Sequence, residues 1–206
     1  MSKIRILIAD DHAVFRMGLI ALLETEPDLE VIGEAEDGEA AVRMSETARP
    51  DVVILDLMMP NMDGISATQE IRRTDSTVKI LILTTTTTSD DIARAMKAGA
   101  NGFITKNDTN EQLLSAIHTV AEGRESISSE IRHLLADDPP APELSPRQME
   151  ILSALSRGLP TSSIAKMLNI SAESVKMHSS ILYKKLGVAN RTEAVALALR
   201  KHLLKT

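Results

Sequence analysis

Short apolar runs alternate with amphipathic stretches through the first 123 residues of the chain. Strand-length runs rich in Val, Ile and Leu, each followed by a segment of helical periodicity, predict a parallel sheet covered by helices on both faces. The expected fold class is α/β, a flavodoxin-like (βα)5 arrangement with strand order 2-1-3-4-5. The predicted strands are IRILIAD (4–10), EVIGEA (30–35), DVVILD (51–56), KILILT (79–84) and GFITK (102–106).

This pattern stops after residue 123, which predicts a domain boundary. The segment SSEIRHLLADD is typical of one short helix, with Ile131, Leu134 and Leu135 on one face. The prolines of DPPAPE remove backbone donors and favour an extended, semi-rigid chain. Residues 124–143 are therefore expected to form a linker with a candidate short helix.

The remaining residues, 144–206, predict a small all-α domain of four helices. The segments SPRQ and NRTE are capping boxes that open the first and last helix. Between them, a short helix from about Thr161 and a longer helix capped by Ser171 and ended by Gly187 are joined by a tight turn. The apolar residues expected to face a common core are Ile164, Ala165, Leu168, Ile170, Val175, Ile181, Leu182 and Leu186.

Charge separates the two predicted domains more sharply than composition does. Residues 1–123 hold 11 Lys and Arg against 21 Asp and Glu, whereas residues 144–206 hold 10 against 3. A basic domain favours an anionic partner, and a polar, partly basic helix face suits the major groove of DNA. The alternative is a plain four-helix domain with solvated lysines. The outward-facing residues of the third helix are Lys176, Met177, Ser180 and Lys184.

Cysteine usage and hydropathy exclude several classes of protein. The chain has no cysteine, which excludes disulfides, thiolate metal sites and cysteine nucleophiles. No apolar run approaches the roughly 18 residues that a membrane span needs. The first residues, MSKIRILIADD, reach two aspartates too soon for a signal peptide. A cytoplasmic protein with no membrane partner is expected.

Polar side chains stand where four of the predicted strands end. Asp10 and Asp11 end the first strand and Asp56 ends the third, and these strands are neighbours in the predicted order. Converging carboxylates repel each other unless a cation lies among them, and Mg²⁺ is the hard divalent ion expected there. Thr84 and Lys106 bring a hydroxyl and an ammonium group. One such residue is commonly a helix cap or a solvated loop residue, but the whole set favours a carboxylate that accepts a phosphoryl group.

The motifs ADD, ILDLMMPNMDG, ILTT and KAGANGFITK resemble the receiver domain of two-component response regulators, over residues 3–123. The resemblance implies that Asp56 accepts the phosphoryl group. It also implies that Asp11, Asp56 and the backbone carbonyl of Met58 coordinate Mg²⁺, with Asp10 helping through water.

The same resemblance assigns a switch. Lys106 pairs with the phosphoryl group, Thr84 is the switch hydroxyl, and Phe103 is the aromatic side chain whose rotamer follows it. By the same analogy, Thr86 and Met58 govern the access of water to the phosphoryl group. Phe103 has an equal alternative role as a core residue, because the chain contains few aromatic side chains.

The segment from LSPRQMEIL to NRTEAV resembles the LuxR-type helix-turn-helix of the NarL/FixJ regulators. The resemblance implies that residues 171–186 form the recognition helix, with Lys176 and Met177 at positions that contact bases or backbone. It also implies that a last helix at about 191–203 is a dimer contact. The chain departs from its relatives at Ser179 and Ser180, where they often carry a basic or longer polar side chain, so DNA affinity is expected to be modest or to depend on dimerisation.

The expected function is a DNA-binding transcriptional response regulator, switched when a sensor histidine kinase phosphorylates Asp56. The expected mechanism is dimerisation of the phosphorylated chain and release of the recognition helix. The chain is not expected to be an enzyme, although the receiver would assist its own Mg²⁺-dependent phosphorylation and dephosphorylation. The expected partners are the cognate kinase, double-stranded DNA and a second copy of the chain.

Three alternative functions compete with this one. A phosphatase of the dehalogenase type needs an acid two residues after its nucleophile, and Met58 occupies that position. A regulator that needs no phosphorylation is disfavoured by the intact set of strand-end residues, although only a labelling assay decides it. A small-molecule sensor with a LuxR-type domain would need an aromatic-rich pocket, and the first half of the chain has only Phe15 and Phe103.

Overall fold

The computed structural model describes residues 3–85, 87–201 and 203–204, and the chain divides into two units, residues 1–138 and 139–206. Each unit has an apolar core of its own. The first unit is an α/β domain and the second is all α.

A parallel sheet forms the centre of the first unit. Among the described residues, six strands are hydrogen-bonded in the order β2-β1-β3-β4-β5-β6, so the predicted order 2-1-3-4-5 is confirmed and one strand is added. The strands are β1 (Ile4–Ala9), β2 (Leu29–Ala35), β3 (Val52–Asp56), β4 (Lys79–Thr84), β5 (Gly102–Thr105) and β6 (Ser126–Ile127).

Alternate residues of each central strand enter two separate apolar clusters, one on each face of the sheet. Leu7 and Val53 pack on one face with residues of α2, α3, α4 and α6, whereas Ile6 and Ile54 pack on the other with residues of α1 and α5. Burial on both faces explains why the strand sequences are almost continuously apolar. The helices of this unit are α1 (Ala13–Leu23), α2 (Gly38–Ala48), α3 (Gly64–Thr74), α4 (Ser89–Ala98), α5 (Asn110–Ala121) and α6 (Ser129–Asp137).

The first unit extends beyond the predicted boundary at residue 123 and includes most of the predicted linker. Ile127 in β6 pairs with Phe103 in β5, and the N–H of Ser128 donates to the Phe103 carbonyl oxygen at 3.1 Å. Ile131 in α6 is 1% exposed and belongs to the same apolar cluster as Phe103. These residues make 124–138 part of the α/β domain, because their apolar side chains complete its core. The proline-rich segment follows.

The second unit contains the four predicted helices, around a core that includes Leu152, Val175 and Leu182. Ile181 was expected in this core, but it is 48% exposed. One residue corresponds to about 100° around a helix, so Ile181 lies at the edge of the inward stripe set by Leu182 and turns towards solvent. The helices are α7 (Pro146–Ser156), α8 (Thr161–Leu168), α9 (Ala172–Leu186) and α10 (Arg191–Arg200). Throughout the described parts of both units, the helices are too short or too polar to cross a bilayer.

Candidate functional site

The carboxyl ends of β1, β3 and β5 bring a buried ammonium group between two buried carboxylates. Asp10 is 2% exposed and Asp56 is 4% exposed. The Nζ atom of Lys106 lies 2.6 Å from Oδ2 of Asp10 and 2.7 Å from Oδ2 of Asp56. We refer to these three residues as the strand-end pocket. The sequence predicted that they would converge, because parallel strands end at a common edge.

An exposed carboxylate and an imidazole extend the strand-end pocket towards solvent. Each of Asp10, Asp11, His12 and Asp56 offers one ligand atom, and these atoms all lie within 4.8 Å of one another. Nδ1 of His12 is 2.8 Å from Oδ1 of Asp11. Three carboxylates in this space outnumber the single ammonium of Lys106, and hard carboxylate oxygens are the ligands that Mg²⁺ prefers. The residues therefore fit a divalent cation.

Burial controls the protonation of the pocket. Desolvation raises the pKa of the Asp56 carboxyl above its usual value, although the hydrogen bond from Lys106 opposes this. Desolvation also lowers the pKa of the Lys106 ammonium, but hydrogen bonds to Asp10 and Asp56 outweigh it, so the net pKa of Lys106 is raised. Lys106 thus stays charged at neutral pH. Any further cation brought close to Asp56 would stabilise the charged form of its carboxylate.

The loop after β3 turns tightly around the Asp56 carboxylate. The N–H of Met58 donates to Oδ1 of Asp56 at 3.2 Å, while the Met58 side chain is 66% exposed. A Cβ atom on Gly64 would lie 2.3 Å from the backbone oxygen of Asp56, so only glycine allows this close return of the chain. The backbone of Met58, which was predicted to supply a metal ligand, is thereby held beside Asp56.

A clamp that the sequence did not predict holds the far side of this loop. Asn61 has a φ of +61° and donates from Nδ2 to Oδ2 of Asp37 at 2.7 Å. Asp37 also caps α2, since its Oδ1 accepts the N–H of Ala40 at 2.7 Å. Asn tolerates the left-handed region, but nothing in the sequence paired Asn61 with Asp37.

The predicted switch residues lie beside Lys106 along the sheet. Thr84 is the last residue of β4 and is 1% exposed, and its carbonyl oxygen accepts the N–H of Lys106 at 2.8 Å. Phe103 is fully buried, in the apolar cluster on the face of the sheet that contains Ile131. Its ring fills the core, as one of its two predicted roles requires. Thr86, predicted to govern water access, lies outside the described residues.

Two residues of α1 support the pocket and were missed by the sequence interpretation. The ring centroid of Phe15 is 4.5 Å from Nζ of Lys106, the distance of a cation–π contact. Arg16 donates from Nη1 to the backbone oxygen of Asp10 at 2.6 Å and from Nε to Glu34 at 2.8 Å. The hydrogen bonds of Arg16 join the end of β1 to β2. The ADDHAVFR segment carries no signal for either contact beyond the proximity of these residues to Asp10 and Asp11.

A hydrogen bond joins α6 to the strand that ends in the pocket. Oγ1 of Thr105, the residue before Lys106, lies 3.0 Å from Oε2 of Glu130 and 3.0 Å from Oδ2 of Asp108. Asp108 already accepts the N–H of Thr105 at 2.8 Å. A hydroxyl has one hydrogen to donate, so the Thr105 hydroxyl can donate to Glu130 while Asp108 remains bonded to the backbone.

In the second unit, α9 presents the predicted contact residues to solvent. Ser171 caps this helix by accepting the N–H of Ser174 at 3.0 Å. Met177 is 54% exposed, and the misassigned Ile181 lies one helical turn later on the same side. The solvent-exposed residues along this face, which we call the α9 face, are Lys176, Met177, Ser180, Ile181 and Lys184.

Comparisons with known proteins agree with this two-domain arrangement. The chain matches the response regulator receiver domain over residues 6–118 and the luxR family of bacterial regulatory proteins over residues 142–198. It is 37% identical over 209 residues to the transcriptional regulatory protein LiaR of Bacillus subtilis, covering 98% of this chain and 99% of that protein. It is 36% identical over 207 residues to the nitrate/nitrite response regulator NarP of Escherichia coli, covering 97% and 96%.

Solved structures extend the similarity to three dimensions. The crystal structure of ChrA, a response regulator of a heme-sensing two-component system, matches with a TM-score of 0.58 at 36% identity, over 99% of this chain and 100% of ChrA. A structure of the response regulator RcsB in complex with DNA matches with a TM-score of 0.70 at 26% identity, over 97% of this chain and 99% of RcsB.

Proposed function

The chain belongs to the two-component response regulators that join a receiver domain to a luxR-family DNA-binding domain, and we propose that phosphorylation of Asp56 controls its DNA binding. It is a DNA-binding transcriptional regulator rather than a classical enzyme. The observation that carries the proposal is the Lys106 ammonium group, held 2.6 Å from Asp10 and 2.7 Å from Asp56. This arrangement gives Asp56 a positive neighbour for the oxygens of an incoming phosphoryl group.

The reaction at Asp56 is a transfer between two side chains. A carboxylate oxygen of Asp56 attacks phosphorus, the bond from phosphorus to the donor's histidine nitrogen breaks, and the imidazole takes up a proton. Asp11, Asp56 and the carbonyl of Met58 would hold Mg²⁺, with Asp10 acting through water. When bound, the ion neutralises phosphoryl oxygens and so favours both arrival and hydrolysis of the group.

After the transfer, the side chains of Lys106 and Thr84 contact the phosphoryl group. Lys106 exchanges its contact with the Asp56 carboxylate for one with a phosphoryl oxygen. Thr84, buried at the end of the neighbouring strand, donates its hydroxyl to another phosphoryl oxygen. The receiver assists its own phosphorylation and dephosphorylation in this way. Met58 lacks the acid group that a phosphatase of the dehalogenase type needs two residues after its nucleophile.

The conformational change that follows phosphorylation of Asp56 is transmitted through β5 to β6 and α6. Phe103 repacks when Thr84 moves, and Phe103 pairs through its backbone with β6 and shares an apolar cluster with α6. Thr105 ties the same strand to Glu130 of α6. Since α6 leads into the proline-rich segment, repacking at β5 biases the segment that joins the two units. Couplings of this kind typically amount to about 1–3 kcal/mol. The phosphorylated chain dimerises and its recognition helix is released for binding.

DNA is contacted by α9. Lys176 and Lys184 meet backbone phosphates, while Met177 and Ser180 lie towards the bases. The net positive charge of residues 144–206 supports this role, as does the match to RcsB, which has been solved bound to DNA. The phosphodonor is a sensor histidine kinase, and the place of action is the cytoplasm.

Labelling of the full chain tests the assignment. Incubation with Mg²⁺ and a small-molecule phosphodonor, such as acetyl phosphate, should give one phosphoryl group per chain that hydroxylamine releases, as expected of an acyl phosphate. Asp56→Asn should abolish it, while Asp63→Asn, in a matched aspartate that caps α3, should leave it intact. Full labelling of Asp56→Asn would refute the proposal.

A further inference from the structure

Two large apolar side chains stand in solvent on α9. Met177 is 54% exposed and Ile181 is 48% exposed. A single exposed apolar residue is ordinary on a protein surface, but these two are four residues apart and therefore adjacent on one side of the helix. Together they form what we call the apolar strip. Its exposure is not needed for folding, because Val175, Leu182 and Leu186 already supply the buried side of α9.

The surroundings of the apolar strip are polar and, apart from the exposed Glu173 four residues before Met177, basic. Exposed lysines lie on the same helix before and after it, at Lys176 and Lys184. Ser180, which is also exposed, lies between Met177 and Ile181, and its short side chain lets the helix backbone come close to a partner. The partner that fits this surface is anionic along its edges and apolar at fixed points between them.

Double-stranded DNA has this chemistry in its major groove. Phosphates line the groove, and the C5-methyl group of thymine is the apolar group that its floor presents. Building on the proposed DNA-binding role of α9, we infer that Met177 and Ile181 form a specificity-determining strip that contacts thymine methyl groups. The operator then requires thymines at fixed positions in each half-site.

A protein partner fits the same surface less well. Protein interfaces bury a core depleted of lysine, with the charged residues at the rim. The apolar strip consists of only two side chains, and Lys176 directly precedes Met177. A surface of this kind offers little apolar area to a second protein, whereas each methyl group in DNA needs only one apolar neighbour.

Deoxyuridine provides the test, because it differs from thymidine only by the missing methyl group. Duplexes that bind the full chain in Mg²⁺ and beryllofluoride are first selected from a randomised pool. In the best-bound duplex, each thymine is then replaced singly by uracil, and affinities are measured by fluorescence anisotropy. We expect one or two positions per half-site to weaken binding by about two- to fivefold, the effect of losing one buried methyl group.

Variants assign each sensitive thymine to a side chain. Ile181→Ala should remove the uracil effect at one position and Met177→Ala at another, while Ile181→Val, which keeps branched methyl groups, should retain it. Lys184→Ala is the control, since loss of a phosphate contact should weaken thymine and uracil duplexes equally. Circular dichroism melting of each variant verifies folding.

The outcomes separate this inference from the proposed function. Selected duplexes that bind equally well with thymine or uracil at every position would overturn the thymine assignment and leave DNA binding intact. Variants that alter dimerisation but keep the uracil effect would also overturn it, and would identify the apolar strip as a protein contact. Failure to select any DNA would count against the proposed function itself.

Discussion

The strand-end pocket and the α9 face both depend on lysine, but in opposite surroundings. The Lys106 side chain is 5% exposed and bonded to two carboxylates, whereas Lys176 and Lys184 lie in solvent. A buried charge has to be balanced inside the fold, because water no longer stabilises it. An exposed charge is stabilised by water and needs no partner inside the fold. Substitutions in the pocket should therefore change stability, and substitutions on α9 should change binding, with effects that decrease as exposure rises.

The largest contrast is expected between two lysine-to-methionine substitutions. Lys106→Met leaves Asp10 and Asp56 facing each other without a cation, and should lower the free energy of unfolding by about 3 kcal/mol. Lys184→Met, on the exposed face, should change it by less than about 0.5 kcal/mol. Urea unfolding at neutral pH without divalent ions measures both. Addition of Mg²⁺ should stabilise Lys106→Met more than the unsubstituted chain, since the ion replaces part of the lost charge. Equal effects at the two positions would contradict the comparison.

A smaller effect is expected where a hydroxyl connects the pocket strand to α6. Thr105→Val removes the donor to Glu130 and should destabilise the receiver domain by about 1.5 kcal/mol, typical of a hydrogen bond to a charged group. Amide hydrogen exchange should become faster in α6 and remain unchanged in α9. Thr105→Ser keeps the hydroxyl and serves as the control. Unaltered exchange in α6 would show that the Thr105–Glu130 bond does not hold the helix.

The ring beneath Lys106 should contribute less. Phe15→Leu keeps an apolar side chain on α1 but removes the aromatic face 4.5 Å from Nζ of Lys106, a loss of about 1 kcal/mol for a partly buried pair. The NMR signals of the Lys106 ε-methylene should lose their ring-current shift in Phe15→Leu and keep it in Phe15→Tyr. A shift that survives in the leucine variant would mean that the ring is not stacked on this lysine.

The smallest effect belongs to an ion pair at the surface. Nε2 of His118 lies 2.8 Å from Oδ2 of Asp28, and this hydrogen bond raises the pKa of His118. A base whose folded pKa is raised stabilises the fold below its unfolded pKa of about 6.5, and this stabilisation is lost as the pH rises through the folded value. The melting temperature of His118→Gln should therefore fall slightly below that of the unsubstituted chain in mild acid and match it in mild base. A difference in melting temperature that grows towards high pH would contradict a raised pKa for His118.

The fold and the centre of the pocket follow from rules that act along whole elements. Parallel strands end at one edge, so Asp10, Asp56 and Lys106 could be placed together from the order of the strands alone. Phe15 and Glu130 reach the pocket region from helices, and their contacts depend on how those helices pack. No repeat or motif reports such packing.

Short and borderline patterns carry the least information about structure. β6 consists of Ser126 and Ile127, too few residues for an alternating pattern to be visible, so the receiver domain was expected to end at residue 123. Ile181 lies at the edge of the inward stripe of α9, where helical periodicity does not distinguish core from surface. In both places, the position of the residue depends on the apolar surface that the folded chain offers it, and the local sequence pattern does not show that surface.

Control of DNA binding by Asp56 is tested most directly by one titration. The full chain and Asp56→Asn are titrated into a duplex selected from a randomised pool, with Mg²⁺, in the presence and absence of beryllofluoride. Beryllofluoride on Asp56 should increase the affinity of the unsubstituted chain by about 5- to 150-fold, the usual range of coupling between sites, and should leave Asp56→Asn unchanged. Control through this aspartate would be contradicted if beryllofluoride left the DNA affinity of the unsubstituted chain unchanged. It would also be contradicted if beryllofluoride raised the affinity of Asp56→Asn by the same factor.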